Sequence, residues 1–210
     1  MICDEQTRRS FSFCVFAGLL TSSGCVGMAN QLLYTFKDDK KKALFDGLEN
    51  MTVAVVVAGP AGFSPEGVTG DVARKLTDLL ETNVKGIELV SQSQIADWID
   101  TKGLTEHRKV GIGVKADRVV AVDFTSISLV DSSTIVKGRA DFTITVFDVH
   151  KNKRLFFREE IEHEYPKNSP AGVSARKFRA LYTMILAQHV ARFFYDHPRD
   201  ELFGADSFAI

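Results

Sequence analysis

Residues 52–58 read TVAVVVA, a near-continuous β-branched run of the kind found in a strand covered on both faces. Ser64-Pro65-Glu66 then offers a hydroxyl N-cap, a proline at the first helical position and an acid in the first turn. Val68, Val72, Leu76, Leu79 and Leu80 follow on one helical stripe. Residues 87–90 form a short second strand, and Ser91 with Gln94 makes a capping box into a helix bearing Ile95, Trp98 and Ile99, which Gly103 stops. Residues 105–114 suit another short helix despite Gly111 and Gly113. A strand over 118–130 turns at Asp131-Ser132-Ser133. From 135 to 148 the alternation is strict: Val136, Ala140, Phe142, Ile144 and Val146 face one way, while Lys137, Arg139, Asp141, Thr143 and Thr145 face the other. One face of this part of the sheet is therefore wet. After a turn at 150–153, Leu155, Phe157, Ile161 and Tyr165 return along a further strand, and alternation puts Glu160, Glu162 and Glu164 together on its polar face. Phe178, Leu181, Tyr182, Ile185, Leu186 and Phe193 stripe a final helix over 174–195. The order β-α-β-α-(α)-β-β-β-α predicts an α/β (α+β mixed) domain, with one mixed sheet of about five strands and helices packed on it.

The first 25 residues carry a different pattern. Arg8 and Arg9 precede an apolar run over 11–20 (FSFCVFAGLL), followed by Thr21, Ser22, Ser23, Gly24 and Cys25, which is the order of an export signal. A run of roughly ten residues is half the length a bilayer span requires, about 20. Ser23-Gly24-Cys25 resembles the end of a bacterial lipobox, whose cysteine thiol receives a diacylglyceryl group before cleavage. Lipidation at Cys25 would leave an anchored chain on the periplasmic side of the outer membrane, the destination that valine after the cysteine implies in the lipoprotein rule. The other reading is cleavage after Ala29, in Gly27-Met28-Ala29, giving a soluble periplasmic protein. Thr7-Arg8-Arg9-Ser10-Phe11 also resembles the twin-arginine export motif, and ordinary Sec export stays open beside it. The expected organisation is a signal peptide over 1–24, a lipid-anchored tether over 25–50 containing the charge cluster 37–42, a globular domain over 51–198 and a tail over 199–210.

Composition narrows the functional classes. With 26 basic and 27 acidic residues the formal net charge is -1, so no field draws in nucleic acid. The three cysteines, Cys3, Cys14 and Cys25, all precede the globular part, which leaves it without thiol chemistry. His107, His150, His163, His189 and His197 show no metal-ligand spacing on a helix, and His189 falls within the apolar stripe of the last helix, a core position. The residues 59–64 (GPAGFS) occupy the place of a phosphate loop but lack its lysine, and Ser64 lacks the second glycine of a nucleophile elbow. No cofactor is expected. The acidic strand 159–164 is the densest set of possible ligands, yet a row of carboxylates alone specifies no metal geometry and also serves to guard an edge strand.

The stretch Glu88-Leu89-Val90, Ile95 and Ile99, then Lys115-Ala116-Asp117-Arg118-Val119-Val120-Ala121-Val122 and a long hairpin closed after Phe147-Asp148-Val149, resembles the TolB amino-terminal fold. That fold is shared by the curli-secretion lipoprotein and by lipoprotein activators of penicillin-binding proteins. The resemblance covers residues 51–164, with Asp123 where a glycine is usual and Asn152 at the turn. It implies a non-catalytic envelope lipoprotein, held to the membrane by its N-terminal lipid, that binds other envelope proteins. The expected binding surface is the polar side of the hairpin, Lys137, Arg139 and Asp141 with Glu160, Glu162 and Glu164. An exported hydrolase or metal-dependent enzyme using 159–164 is the alternative.

Overall fold

The computed structural model describes residues 40–104, 106–131, 136–166 and 174–198. Arg8, Arg9, Cys25, the alternative cleavage after Ala29 and the tail over 199–210 lie outside the described residues. At the centre is β2 (Thr52–Gly59), where every residue from Val53 to Ala58 is buried, as a strand covered on both faces must be. Strand β5 (Arg118–Asp131) lies parallel to β2, with Val53 opposite Arg118 and Ala58 opposite Asp123. β6 (Val136–Asp148) and β7 (Lys153–Tyr165) follow antiparallel, giving the order β3-β2-β5-β6-β7, in which β3 is Gly62–Phe63; β4 (Glu88–Leu89) also pairs with β2. The expected element order is found, with two-residue strands added to it, β3 among them.

Among the described residues two helices lie on each side. α1 (Gly67–Asn83) and α4 (Ala175–Ala191) bury Leu76, Leu80, Phe178, Tyr182 and Leu186 against Val55, Val57, Val120, Val122, Phe142 and Ile144. α2 (Gln92–Lys102) and the short α3 (His107–Gly113) bury Ile95, Ile99 and Val110 against Ala54, Val56 and Val119 on the opposite face. The caps of α2 follow the sequence: the Ser91 hydroxyl accepts the Gln94 N–H at 3.3 Å, and Gly103 closes the helix at φ 76°. The Gln92 side chain takes the place of a neighbouring strand by donating to the Val55 carbonyl at 3.0 Å. α1 starts later than its cues indicate. Glu66 is the N-cap, with no side-chain cap bond, the first helical residue Gly67 keeps φ 77°, a conformation only glycine adopts without strain, and the Ser64 hydroxyl instead accepts the Glu66 N–H at 3.3 Å.

The expected tether boundary also moves. β1 (Lys40–Lys41) pairs with β8 (His197–Pro198), the N–H groups of Leu44 and Phe45 both donate to the Phe193 carbonyl at 2.9 Å, and Leu48 is fully buried against the α1 and α4 side. The charge cluster 37–42 has the composition of a solvated spacer, but Leu48 behind it belongs to the core and Phe45 packs against it, so the folded unit includes Lys40 to Asn50.

Candidate protein-binding surface

Alternation in β6 holds. Ala140, Phe142, Ile144 and Val146 are buried under α1 and α4, which turns Lys137, Arg139, Asp141 and Thr143 to the outer face. There the Lys137 ammonium pairs with Glu164, and Arg139 Nε lies 3.4 Å from Glu164 Oε2. Asp141 is spent within the sheet. Its Oδ1 accepts the Glu162 N–H at 2.6 Å and its Oδ2 accepts the Ser126 hydroxyl at 2.7 Å. These two bonds, the backbone one first, hold its carboxyl below the ordinary carboxylate value.

The acidic residues of β7 do not share a face. Phe142 stands opposite Glu160 and Ala140 opposite His163, so Ile161 and Glu162 together face the single residue Asp141. This is a bulge, with Glu162 at φ 57°, and it reverses the alternation expected from the sequence. Glu160 consequently lies under α4, with Arg158 Nε at 2.5 Å and His189 Nε2 at 3.4 Å. Glu162 is exposed at the bulge, and Glu164 alone joins Lys137 and Arg139 outside. The apolar positions are displaced with it. Phe156 packs among Phe45, Phe193 and Phe194 on the core side, whereas Phe157 is 49% exposed and Ile161 68% exposed. Phe157 and Ile161, which alternation sets opposite the polar face, thus stand on the outer face. The outer face therefore carries two exposed apolar side chains, Phe157 and Ile161, with Glu159 between them opposite Thr143, beside the Lys137, Arg139 and Glu164 cluster.

Beneath α4 the polar groups are arranged for packing. The His163 and His189 rings lie 4.8 Å apart, and the Tyr182 hydroxyl donates to the His163 carbonyl at 3.0 Å. Burial lowers the pKa of His189 against the opposing pull of Glu160. Burial pushes Glu160 up, but Arg158 and His189 outweigh it and hold the carboxyl low. Among the described residues no group of three or more His, Cys, Asp or Glu side chains is placed to hold a metal ion.

One arrangement escaped the sequence reading. His107 Nε2 lies 2.8 Å from Asp123 Oδ2 at the wall of a cavity of about 420 Å³ bordered by Glu106, Arg108 and Phe147. A carboxylate-held imidazole is half of an acid-base device. Among the described residues no hydroxyl or thiol side chain lines this cavity. The only signal in the sequence was a carboxylate, Asp123, in a run otherwise as apolar as β2.

No protein-family model matches the sequence, and no curated protein matches it. Solved structures do show similarity. The PelC dodecamer from Paraburkholderia phytofirmans is similar at 8% identity and a TM-score of 0.41, over 74% of this chain and 94% of that one. The lipoprotein GNA1162 from Neisseria meningitidis is similar at 14% identity and 0.43, over 67% of this chain and 97% of that one. The C-terminal domain of LpoB from Salmonella enterica is similar at 13% identity and 0.36, over 53% and 82%. At these identities and TM-scores the likenesses assign no role. No helix among the described residues is long and apolar enough to cross a membrane.

Proposed function

We propose that this chain is an exported bacterial envelope lipoprotein, lipidated at Cys25 and held on the periplasmic side of the outer membrane, whose folded unit binds other envelope proteins and catalyses no reaction. The order of charge, short apolar run, small residues and cysteine supports the address. The observation that carries the binding role is the outer face of β6 and β7, where exposed Phe157 and Ile161 adjoin the Lys137, Arg139 and Glu164 cluster. The enzymatic alternative loses its geometry, because the bulge divides Glu160, Glu162 and Glu164 between two faces and a turn of the backbone. Asp141, Glu160 and Glu162 therefore leave the proposed surface, and Lys137, Arg139 and Glu164 remain in it with the two apolar side chains.

The test has two arms. Cys25→Ser should release the protein from membranes, and a variant that still fractionates with membranes, with a native amino terminus beyond Ala29, overturns the anchor. Photocrosslinking groups at Arg139 and Thr143 should capture an envelope protein that a group at Glu81 on α1 does not. Equal capture from both sides, or none from the outer face, overturns the binding surface.

A further inference from the structure

Strand β5 carries one residue that its packing does not ask for. Val119, Val120, Ala121 and Val122 are fully buried, and the next residue is Asp123, a side chain that strands disfavour. Its Oδ2 lies 2.8 Å from His107 Nε2, and this is the ring's one bond among the described residues, since Nδ1 is buried without a partner. A neutral ring with its hydrogen on Nε2 donates to the carboxylate and leaves a lone pair at Nδ1, so Asp123 keeps its charge. The carboxylate remains 40% exposed at the wall of the cavity of about 420 Å³, a volume within the range of about 300–1,000 Å³ typical of small-molecule pockets.

The two ends of this cavity carry opposite charge. Asp123 and Glu106 flank His107 at one end, where Glu106 also meets Lys109 at 3.2 Å in the open. At the other end Arg108 Nη1 lies 3.5 Å from the Val149 carbonyl, beside the turn that contains Asn152, and the rest of the guanidinium has no partner among the described residues. Leu104 and Phe147, both half-buried, supply apolar wall. The register gives the spacing. Asp123 stands opposite Thr143, and Val149 is six positions further along the chain, roughly 20 Å of strand. The side chains shorten that span, but an α-amino acid, whose ammonium and carboxylate share one carbon, does not bridge it. An extended peptide of about three to five residues covers roughly 10–17 Å.

We propose that this cavity binds a short free peptide of about three to five residues, its terminal ammonium on Asp123, its terminal carboxylate on Arg108 and Asn152, and an apolar side chain against Leu104 and Phe147. His107 is a positioning residue: it fixes the Asp123 carboxylate at the wall and leaves the second oxygen for the ligand. A His107 and Asp123 pair that only latched α3 onto β5 would be indifferent to the charges at a ligand's ends. The site shares no residue with the Lys137, Arg139 and Glu164 cluster or with Phe157 and Ile161, so it holds whether or not that face binds another protein.

Titration of the purified full chain tests it, with Ala-Leu-Ala and Ala-Ala-Leu-Ala-Ala as probes, each also as its N-acetyl form and its C-terminal amide. The better of the two free peptides should bind with a dissociation constant of about 100 μM or below, and either cap should weaken it by about tenfold. Free leucine should bind at least about tenfold more weakly than that peptide. Asp123→Asn should bind the free and N-acetylated peptides alike while still rejecting the amide, and Arg108→Gln should do the reverse. Circular dichroism checks the fold of each variant, and the capped peptides on the wild type decide the matter if a variant unfolds. In NMR spectra the His107 ring and the Gly111 amide should shift on titration while the Glu81 amide on α1 does not. No binding at about 5 mM, fiftyfold above the expected constant, overturns the proposal. So do equal binding of free and capped peptides, leucine binding as tightly as the peptides, or binding that leaves the His107 ring signals unmoved.

Discussion

The Glu160 carboxylate lies 3.4 Å from Nε2 of His189, beneath α4, with Arg158 on its other side at 2.5 Å and the His163 ring adjacent to His189. Burial sets the balance for the histidine: its pKa falls below the ordinary 6.5 even with a carboxylate beside it. The unfolded chain therefore binds this proton first. Stability from neutral His189 is complete above pH 6.5 and is lost as the pH falls through the lower folded value. Glu160 acts in the same direction further down, since its carboxyl is held below 4.5 and its contribution is lost as the pH falls through that lower value. The urea midpoint of the wild type should decline as the pH falls below 6.5, and His189→Gln should remove most of that decline while keeping the further loss below 4.5. Parallel profiles for the two proteins would show that His189 is not the group responsible.

Tyr182 lies against Gly138, where an added Cβ would stand 2.7 Å from three atoms of the ring. The ring cannot retreat, because it stacks on Phe178 and its hydroxyl is bonded to the His163 carbonyl. Gly138→Ala should destabilise the fold by about 1–3 kcal/mol, the usual cost of overpacking. Chemical denaturation measures it, and a neutral result would mean that β6 can move away from α4.

The parts of this fold that were legible in the sequence are those determined locally. The β-branched run of β2, the Ser91 cap and the Gly103 stop each depend on residues within a few positions of one another, and each is where the pattern puts it. The start of α1 was missed because Gly67 takes a left-handed conformation that its neighbours do not announce. The faces of β7 were misread for a longer-range reason. The bulge at Glu162 is fastened by a bond from its N–H to Asp141, 21 residues earlier, and nothing in the run REEIEHEY marks where two residues will oppose one. The His107 and Asp123 pair, 16 residues apart, exists only because α3 folds back over β5.

Asp148 is buried at the end of β6, with Oδ2 2.9 Å from Arg118 Nη1 and Oδ1 accepting the Lys151 N–H at 2.8 Å. The backbone bond, followed by the Arg118 charge, holds its carboxyl below 3.8 against the effect of burial. Asp148→Asn should preserve the turn but leave the mostly buried guanidinium without its counter-charge, lowering the thermal midpoint at neutral pH. The carboxylate's contribution is present above pH 3.8 and lost as the pH falls through its lower folded value, so the midpoints of variant and wild type should converge in acid. A gap independent of pH would point to shape and not charge.

Phe156 and Phe157 are neighbours with opposite surroundings, and the pair offers the sharpest check on the reversed face of β7. Phe156 stands 5.7 Å from Phe45 and 6.0 Å from Phe194, ring to ring, in the apolar layer under α4. Phe157 faces outward, with the Arg154 guanidinium over its ring at 4.9 Å. Removing the first ring opens a void among aromatic side chains that cannot all move to fill it, so Phe156→Ala should cost about 2 kcal/mol or more. Removing the second gives up a solvent-facing contact, so Phe157→Ala should change the unfolding free energy by no more than about 0.5 kcal/mol. Simple alternation counted from Leu155 and Phe157 as core residues demands the reverse ranking. Urea denaturation compares the two directly, and a larger loss from Phe157→Ala would return that side chain to the core and remove it from the outer face.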